Sequence, residues 1–336
     1  MHYDYEALAK TIEHLVTPGK GILALDESLN TIGKRFESIG IENNEKNRRD
    51  YRTLLCTTPE LQQYIHGVIF FEETLTQTDH NGVPLPKVLA SCGIIPGIKV
   101  DKGLVDLPES EDEKITQGLD GLSDRLEAYK ALGARFAKWR NVYQISESTP
   151  SQVVIKTGAS LLARYACLCQ AAGMVPIVEP EILIEGEHSL EEASEVAEVV
   201  LHELFHEMFL HQVVLEGIIL KASMVTPGKS CAQQSTPEEI AEATLSAFSN
   251  VVPASVASIH FLSGGQTPVD ATTHLNAINR VRHSPWNLSF SFARALQDPC
   301  LKAWRGNPEN INSAQLALLN RARLNSLASL GEYAGE

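Results

Sequence analysis

The chain is short of basic residues, of cysteine and of uninterrupted apolar sequence. It has 28 Lys and Arg against 42 Asp and Glu, a formal net charge of -14. That deficit argues against a general nucleic-acid-binding surface, although a local basic pocket inside an acidic shell still suits a small anionic substrate. Six cysteines in 336 residues make no disulfide framework, and Cys167 and Cys169 are two apart rather than a CxxC pair. No stretch reaches the apolar length of a membrane-spanning helix; the richest is broken by His211, Glu216 and Lys221. The opening Met1-His-Tyr-Asp-Tyr-Glu has no signal-peptide core. No GxGxxG follows the first predicted strand, and no Pro/Gly/Ser-rich linker divides the chain. These absences predict one cytoplasmic domain over residues 1–336, with free thiols and neither a nucleic-acid nor a membrane partner.

What is present is an alternation. Apolar, β-branched runs at 21–26, 67–71, 94–100, 136–143, 175–181, 215–225, 258–262 and 287–292 read as strands. Amphipathic segments at 3–16, 43–55, 118–132, 152–172, 189–211, 237–248 and 273–280 read as helices, and helical sequence runs nearly to the C-terminus. Eight strands, each followed by helical or loop material, fit a single closed (β/α)₈ TIM barrel with N-terminal and C-terminal helical additions.

Lys221 lies inside one of those apolar runs. A lysine in a dry interior is costly unless it is paired, neutralised or used in chemistry. The plainer alternative ends the strand at Leu220 and lets the side chain reach water. Placement favours chemistry: Asp26, Lys99, Lys138, Arg140, Glu179, Glu181, Ser263, Gly264 and Arg294 also fall in or just after strands. In a barrel those positions converge on the C-terminal mouth.

Lys138 and Arg140 share a strand face, so with Lys99 they would crowd Lys221 and disfavour its protonation. A free amine can attack a carbonyl and form an imine, an electron sink for carbon–carbon cleavage that needs no metal or other cofactor. Asp26, Glu179 and Glu181 supply proton-transfer groups. For Lys138 an ordinary ion pair with a glutamate is the competing reading. Trp139, between the two cations, should face outward into packing.

Ser263-Gly264-Gly265 after the seventh strand and Arg294 after the eighth suit a phosphate. Ser28, Thr31, Lys34, Arg35 and Lys99 make a second anion site on the far side of the mouth. Two such sites across an amine predict an elongated substrate phosphorylated at both ends. His202-Glu-Leu-Phe-His206 matches the HExxH pattern of zinc peptidases on a helix. A third ligand is lacking in register, and the same helix offers Val199, Leu201, Leu204, Phe205 and Met208 for packing, so coincidence is the preferred reading.

Six blocks carry a family resemblance: Gly-Ile-Leu-Ala-Leu-Asp-Glu-Ser (21–28), Gly-Ile-Lys-Val-Asp-Lys-Gly (97–103), Phe-Ala-Lys-Trp-Arg (136–140), Val-Glu-Pro-Glu-Ile-Leu (178–183), Leu-Glu-Gly-Ile-Ile-Leu-Lys-Ala-Ser-Met-Val-Thr-Pro-Gly (215–228) and Phe-Leu-Ser-Gly-Gly-Gln (261–266). In that order they resemble class I fructose-bisphosphate aldolase. The resemblance implies reversible cleavage of fructose 1,6-bisphosphate to dihydroxyacetone phosphate and glyceraldehyde 3-phosphate, a TIM barrel, a metal-free mechanism and a homotetramer. It implies that Lys221 is the Schiff-base lysine, Glu179 the acid/base for carbinolamine dehydration and Asp26 the carboxylate at the C4 hydroxyl. Lys138 would be the neighbouring cation and Glu181 its carboxylate neighbour. Ser263, Gly264, Ser291 and Arg294 would hold one phosphate. Ser28, Thr31, Lys34, Arg35 and Lys99 would serve the other, with Arg48 and Arg140 contributing.

The chain departs from the family pattern in three places. Thr31 stands where serine is common, Ala293 where glycine is common, and the sequence stops at Gly331-Glu-Tyr-Ala-Gly-Glu336, where the family commonly carries a mobile tail ending in tyrosine: either the tail is dispensable, the chain is truncated, or turnover is limited at the enamine proton step. A scaffold that keeps this fold without catalysis is the alternative from a different functional class.

Overall fold

The computed structural model describes residues 4–110, 112–281 and 284–336. Its strands are β1 (Gly21–Leu25), β2 (Ile65–Phe70), β3 (Ile95–Lys99), β4 (Leu104–Asp106), β5 (Lys114–Thr116), β6 (Phe136–Tyr143), β7 (Val175–Ile182), β8 (Ile219–Ala222), β9 (Ser258–Phe261) and β10 (Asn287–Phe292). Its helices are α1 (Tyr5–Leu15), α2 (Leu29–Glu37), α3 (Glu45–Cys56), α4 (Glu72–Leu75), α5 (Leu85–Ser91), α6 (Leu122–Ala131), α7 (Gln152–Ala171), α8 (Leu190–Leu210), α9 (Pro237–Val251), α10 (Pro268–Arg280), α11 (Arg294–Trp304) and α12 (Ile311–Ser329). Eight parallel strands close in the order β1-β10-β9-β8-β7-β6-β3-β2. β4 and β5 form a separate antiparallel hairpin.

Alternation along the strands sorts the core into two layers. Ile22, Ala24, Ile69, Phe136, Ile177 and Ile219 fill the barrel, and Leu8, Ile12 and Leu15 of α1 join the same cluster. Leu15 reaches the start of β2, where a Cβ on Gly67 would meet it at 2.9 Å, so α1 plugs the N-terminal end. Gly97 is needed for the same filling, since a Cβ there would lie 2.2 Å from the Phe136 ring. The opposite strand faces pack against the helices; Trp139 is fully buried there, 5.6 Å from the Tyr165 ring of α7. Hydroxyl and amide caps fix where helices begin: Ser28, Asn44, Ser151, Ser189, Thr236 and Thr267 each accept a bond from the first turn.

The barrel agrees with the sequence reading, and several boundaries do not. Residues 215–225 are not one strand, because Leu215–Gly217 is a 3₁₀ turn pinned by Gln170 through Val214 and Gly217. The hairpin β4–β5 lies in a stretch to which no strand or helix was assigned from the sequence. The helix expected from 118 begins at Leu122, because Gly118 and Gly121 adopt φ of 127° and 63°. α4 and α5 were not foreseen, and Val199, expected to pack, is 46% exposed while Val200 is buried.

Candidate active site

Strand ends place the chemistry. Lys221 is the third residue of β8 and only 4% exposed, so the strand does not stop at Leu220 and its side chain is buried at the cavity wall rather than extended over the surface. Its Nζ lies 3.0 Å from Glu179 Oε1, contributed by β7. Glu179 Oε2 is 3.0 Å from Lys138 Nζ, and Lys138 in turn is 2.6 Å from Asp26 Oδ2, one residue beyond β1. Two amines and two carboxylates thus form one chain of contacts across the barrel mouth. The ion pair considered for Lys138 exists, with two carboxylates rather than one.

The charge states follow from competing effects. Burial alone would raise the Asp26 carboxyl, but Lys138, Lys221 and Lys99 outweigh it and hold Asp26 far below the ordinary carboxylate range. Burial likewise opposes Glu179 ionisation, and Lys138, Lys221 and Arg140 reverse that, so its value falls. Burial would lower Lys138, yet Asp26 and Glu179 raise it above an ordinary lysine. Lys138 is therefore a fixed cation flanked by two ionised carboxylates.

The remaining expected groups sort by distance from this centre. Arg140 Nη1 lies 2.8 Å from Glu181 Oε2, so Glu181 neighbours Arg140 and not Lys138. Lys99, at the end of β3, is held by Asp101 Oδ1 at 2.6 Å rather than crowding the amine unpaired. Ser28 caps α2, with its Oγ 3.0 Å from Thr31 Oγ1; Lys34 and Arg35 follow on that helix, and all four line the cavity. On the next wall stand Ser263, Gly264, Ser291 and Arg294, the last opening α11 beside Ala293. Gly265 lies just behind, where a Cβ would come within 3.5 Å of Arg294 Nη2. All of these but Gly265 share one cavity of about 750 Å³.

Arg48 is not brought to it. Its guanidinium forks onto Glu73 at 2.7 and 2.6 Å and also bonds Asn43, and it is absent from the cavity wall. Ring order also corrects the expected opposition of the two anion sites. β9 and β10, which carry one, run directly on to β1, which carries most of the other. Asp298 lies within electrostatic reach of both Arg35 and Arg294, so the two sites form a continuous wall.

Four charged cavity residues were missed from the sequence: Glu27, Asp101, Asp298 and Lys302. Asp298 and Lys302 fall four and eight residues after Arg294, a helical spacing that would have marked a shared face. Eight cationic and six acidic side chains line the cavity, in a chain of net charge -14. The basic pocket in an acidic shell is realised.

His202 and His206 lie on the exposed side of α8, while Leu201, Leu204, Phe205 and Met208 pack inward. Among the described residues, no three His, Cys, Asp or Glu side chains cluster as a metal site would require. Tyr333 is buried, its N–H donating to Asn276 Oδ1, and it does not line the cavity. No helix among the described residues is long and apolar enough to cross a membrane.

The model of the fructose-bisphosphate aldolase class-I family matches residues 7–336. Fructose-bisphosphate aldolase 2, chloroplastic, of Arabidopsis thaliana is 53% identical over 331 residues, covering 98% of this chain and 83% of that protein. A probable fructose-bisphosphate aldolase class 1 of Xanthomonas campestris is 51% identical, covering 98% of this chain and 99% of that protein. Among solved structures, the aldolase of Plasmodium falciparum in complex with TRAP and a small-molecule inhibitor superposes with a TM-score of 0.97. It shares 47% identity and is covered over 98% of this chain and 96% of its own.

Proposed function

The chain belongs to the class-I fructose-bisphosphate aldolase family, and on that premise we propose that Lys221 cleaves its substrate through a covalent Schiff base. The enzyme is a carbon–carbon lyase of glycolysis acting on fructose 1,6-bisphosphate. The observation that carries the Schiff-base reading is the Lys221–Glu179 contact of 3.0 Å, in a largely buried cluster shared with Lys138 and Asp26.

The steps balance with these groups. Lys221 passes one proton to Glu179 and its amine attacks C2 of the open-chain ketose. A second amine proton moves to the new alkoxide, giving the carbinolamine. Glu179 returns its proton to that hydroxyl, water leaves and a protonated imine remains. Asp26, kept ionised by Lys138, then takes the C4 hydroxyl proton. The C3–C4 bond breaks, its electron pair flows into the imine as an enamine, and glyceraldehyde 3-phosphate departs. A proton added at C3 and hydrolysis of the imine release dihydroxyacetone phosphate and restore Lys221.

Ser263, Gly264, Gly265, Ser291 and Arg294 hold the phosphate nearer Lys221. Ser28, Thr31, Lys34, Arg35 and Lys99 hold the other, with Arg140 at the margin and Arg48 assigned no part. A homotetramer in a reducing, cytoplasmic setting completes the reading; the setting is supported by six cysteines none of which is joined in a disulfide. Light scattering of the purified chain tests the tetramer. Borohydride reduction with substrate, followed by peptide mapping, tests the chemistry. An adduct on Lys221 is expected, and actively turning-over enzyme without one there would refute the mechanism.

A further inference from the structure

Asp26 and Glu27 leave β1 in succession and enter different networks. Asp26 meets Lys138. Glu27, only 6% exposed, meets two arginines that the mechanism does not use together. Its Oε2 lies 2.8 Å from Nη1 of Arg52, a residue of α3 that is itself 2% exposed. Its Oε1 accepts from Arg35 Nη1 at 2.6 Å and from Gln297 Nε2 at 2.8 Å. Gln297, fully buried on α11, also donates to the Ala24 carbonyl at 2.6 Å and accepts from the Tyr51 hydroxyl at 3.1 Å. Arg52 bonds the Leu25 carbonyl as well.

These partners differ in freedom. Arg52 and Gln297 are locked in the interior and tied to the end of β1, so the Glu27 carboxylate cannot follow a ligand. Arg35 is the one partner whose side chain also faces the cavity. A free arginine on a helix loses much rotamer entropy when it captures an anion, and holding it beforehand lowers that cost. Only Nη1 is used on Glu27, which leaves the other donors of the guanidinium fork for phosphate oxygens.

We propose that Glu27 is a positioning residue, a buried post that presents Arg35 to the substrate phosphate remote from Lys221. The idea rests on the aldolase reading above and deepens it by assigning how the second phosphate is selected. Discrimination between a ketose bisphosphate and a ketose 1-phosphate is then set partly by a carboxylate that acts through Arg35.

The test compares kcat/KM for fructose 1,6-bisphosphate with that for fructose 1-phosphate, in the wild type and in Glu27→Gln. Wild-type turnover of both, measured first, separates failure of the aldolase reading from failure of this one. Glu27→Gln is expected to lower the bisphosphate-to-monophosphate ratio about tenfold, chiefly through KM, as for one lost charge-assisted bond. Because the neutral amide leaves Arg52 without its counter-charge, Glu27→Asp is the second variant. It keeps the charge inside and withdraws it from Arg35, and it should shift the ratio in the same direction by a smaller factor. Arg35→Ala should reach the Glu27→Gln ratio, and the double variant should fall no lower. An unchanged ratio in both Glu27 variants, or a double variant whose loss is the product of the single losses, overturns the proposal.

Discussion

Lys138 Nζ lies 2.6 Å from Asp26 Oδ2, which makes the cation as much a part of the proton-transfer carboxylate as its own oxygens. Glu179 would keep Lys221, but Asp26 has no second ion pair among the described residues, so replacing Lys138 by Met would leave its carboxylate inside the mouth without a cation in contact. The expected result is a fall in kcat of at least ~100-fold and a stability loss of about 3–5 kcal/mol. Lys221→Met should behave differently, since Glu179 keeps Lys138. Turnover should vanish while stability changes by only about 1–2 kcal/mol. Steady-state rates and urea midpoints of the two variants check this, and equal stability losses would contradict it.

Acid sensitivity has two sources with different windows. Asp26 and Glu179 have depressed values in the fold, so they stabilise it above about pH 4 and lose that contribution as pH falls further. His260 is pushed down to about 3, by burial first and Lys221 second, and His66, stacked 5.9 Å away, is lowered as well. An unfolded histidine takes a proton near pH 6.5, whereas the folded His260 refuses it until far lower, so stability declines already from about pH 6.5. Between pH 6.5 and 5 that is about 2 kcal/mol for His260. Urea midpoints at pH 7.5, 6 and 5 should fall less steeply in His260→Thr than in the wild type. Parallel slopes would assign the acid loss elsewhere.

Those histidines also show where sequence reading stops. The barrel was legible because eight apolar runs alternate with amphipathic ones, and Lys221 stood out because one charge broke such a run. Which carboxylate meets which cation was not legible, because it depends on register. Arg140 pairs across β6 and β7 with Glu179 along the backbone, yet its side chain reaches Glu181. His66 and His260 sit in strands 194 positions apart in sequence, and nothing local marks them as neighbours. Glu27 was hidden by its position beside Asp26, since its partners Arg35, Arg52 and Gln297 come from three helices that only the fold brings to the end of β1. Arg48 was misleading for the converse reason, an arginine on the expected helix whose partner Glu73 is supplied by α4.

The HExxH match makes a separate, negative prediction. His202 and His206 are exposed on α8, and neither lines the cavity. His202→Ala/His206→Ala should retain the wild-type rate within about twofold, the span of ordinary surface substitutions. Exhaustive chelation should leave bisphosphate cleavage equally intact in both proteins. A rate that collapses with chelator and returns with added zinc would reopen the metal reading.

The turn after β9 offers the sharpest test of the phosphate wall. Gly264 and Gly265 adopt φ of 47° and 86°, a left-handed region that costs an L-residue about 1–2 kcal/mol. At Gly264 a Cβ would also approach Leu262 Cδ1 to 2.9 Å, and at Gly265 Ile184 Cγ2 to 3.1 Å. Neither contact is with backbone, so the fold should survive either alanine. What should suffer is the path of the backbone N–H groups beside Ser263 and Arg294, which a phosphate needs within hydrogen-bond reach. Gly264→Ala is therefore expected to raise KM for fructose 1,6-bisphosphate about tenfold. Competitive inhibition by inorganic phosphate should weaken in proportion, and borohydride should still trap substrate on Lys221 at saturating concentration. Unchanged phosphate inhibition in a folded Gly264→Ala enzyme would place the phosphate elsewhere in the cavity.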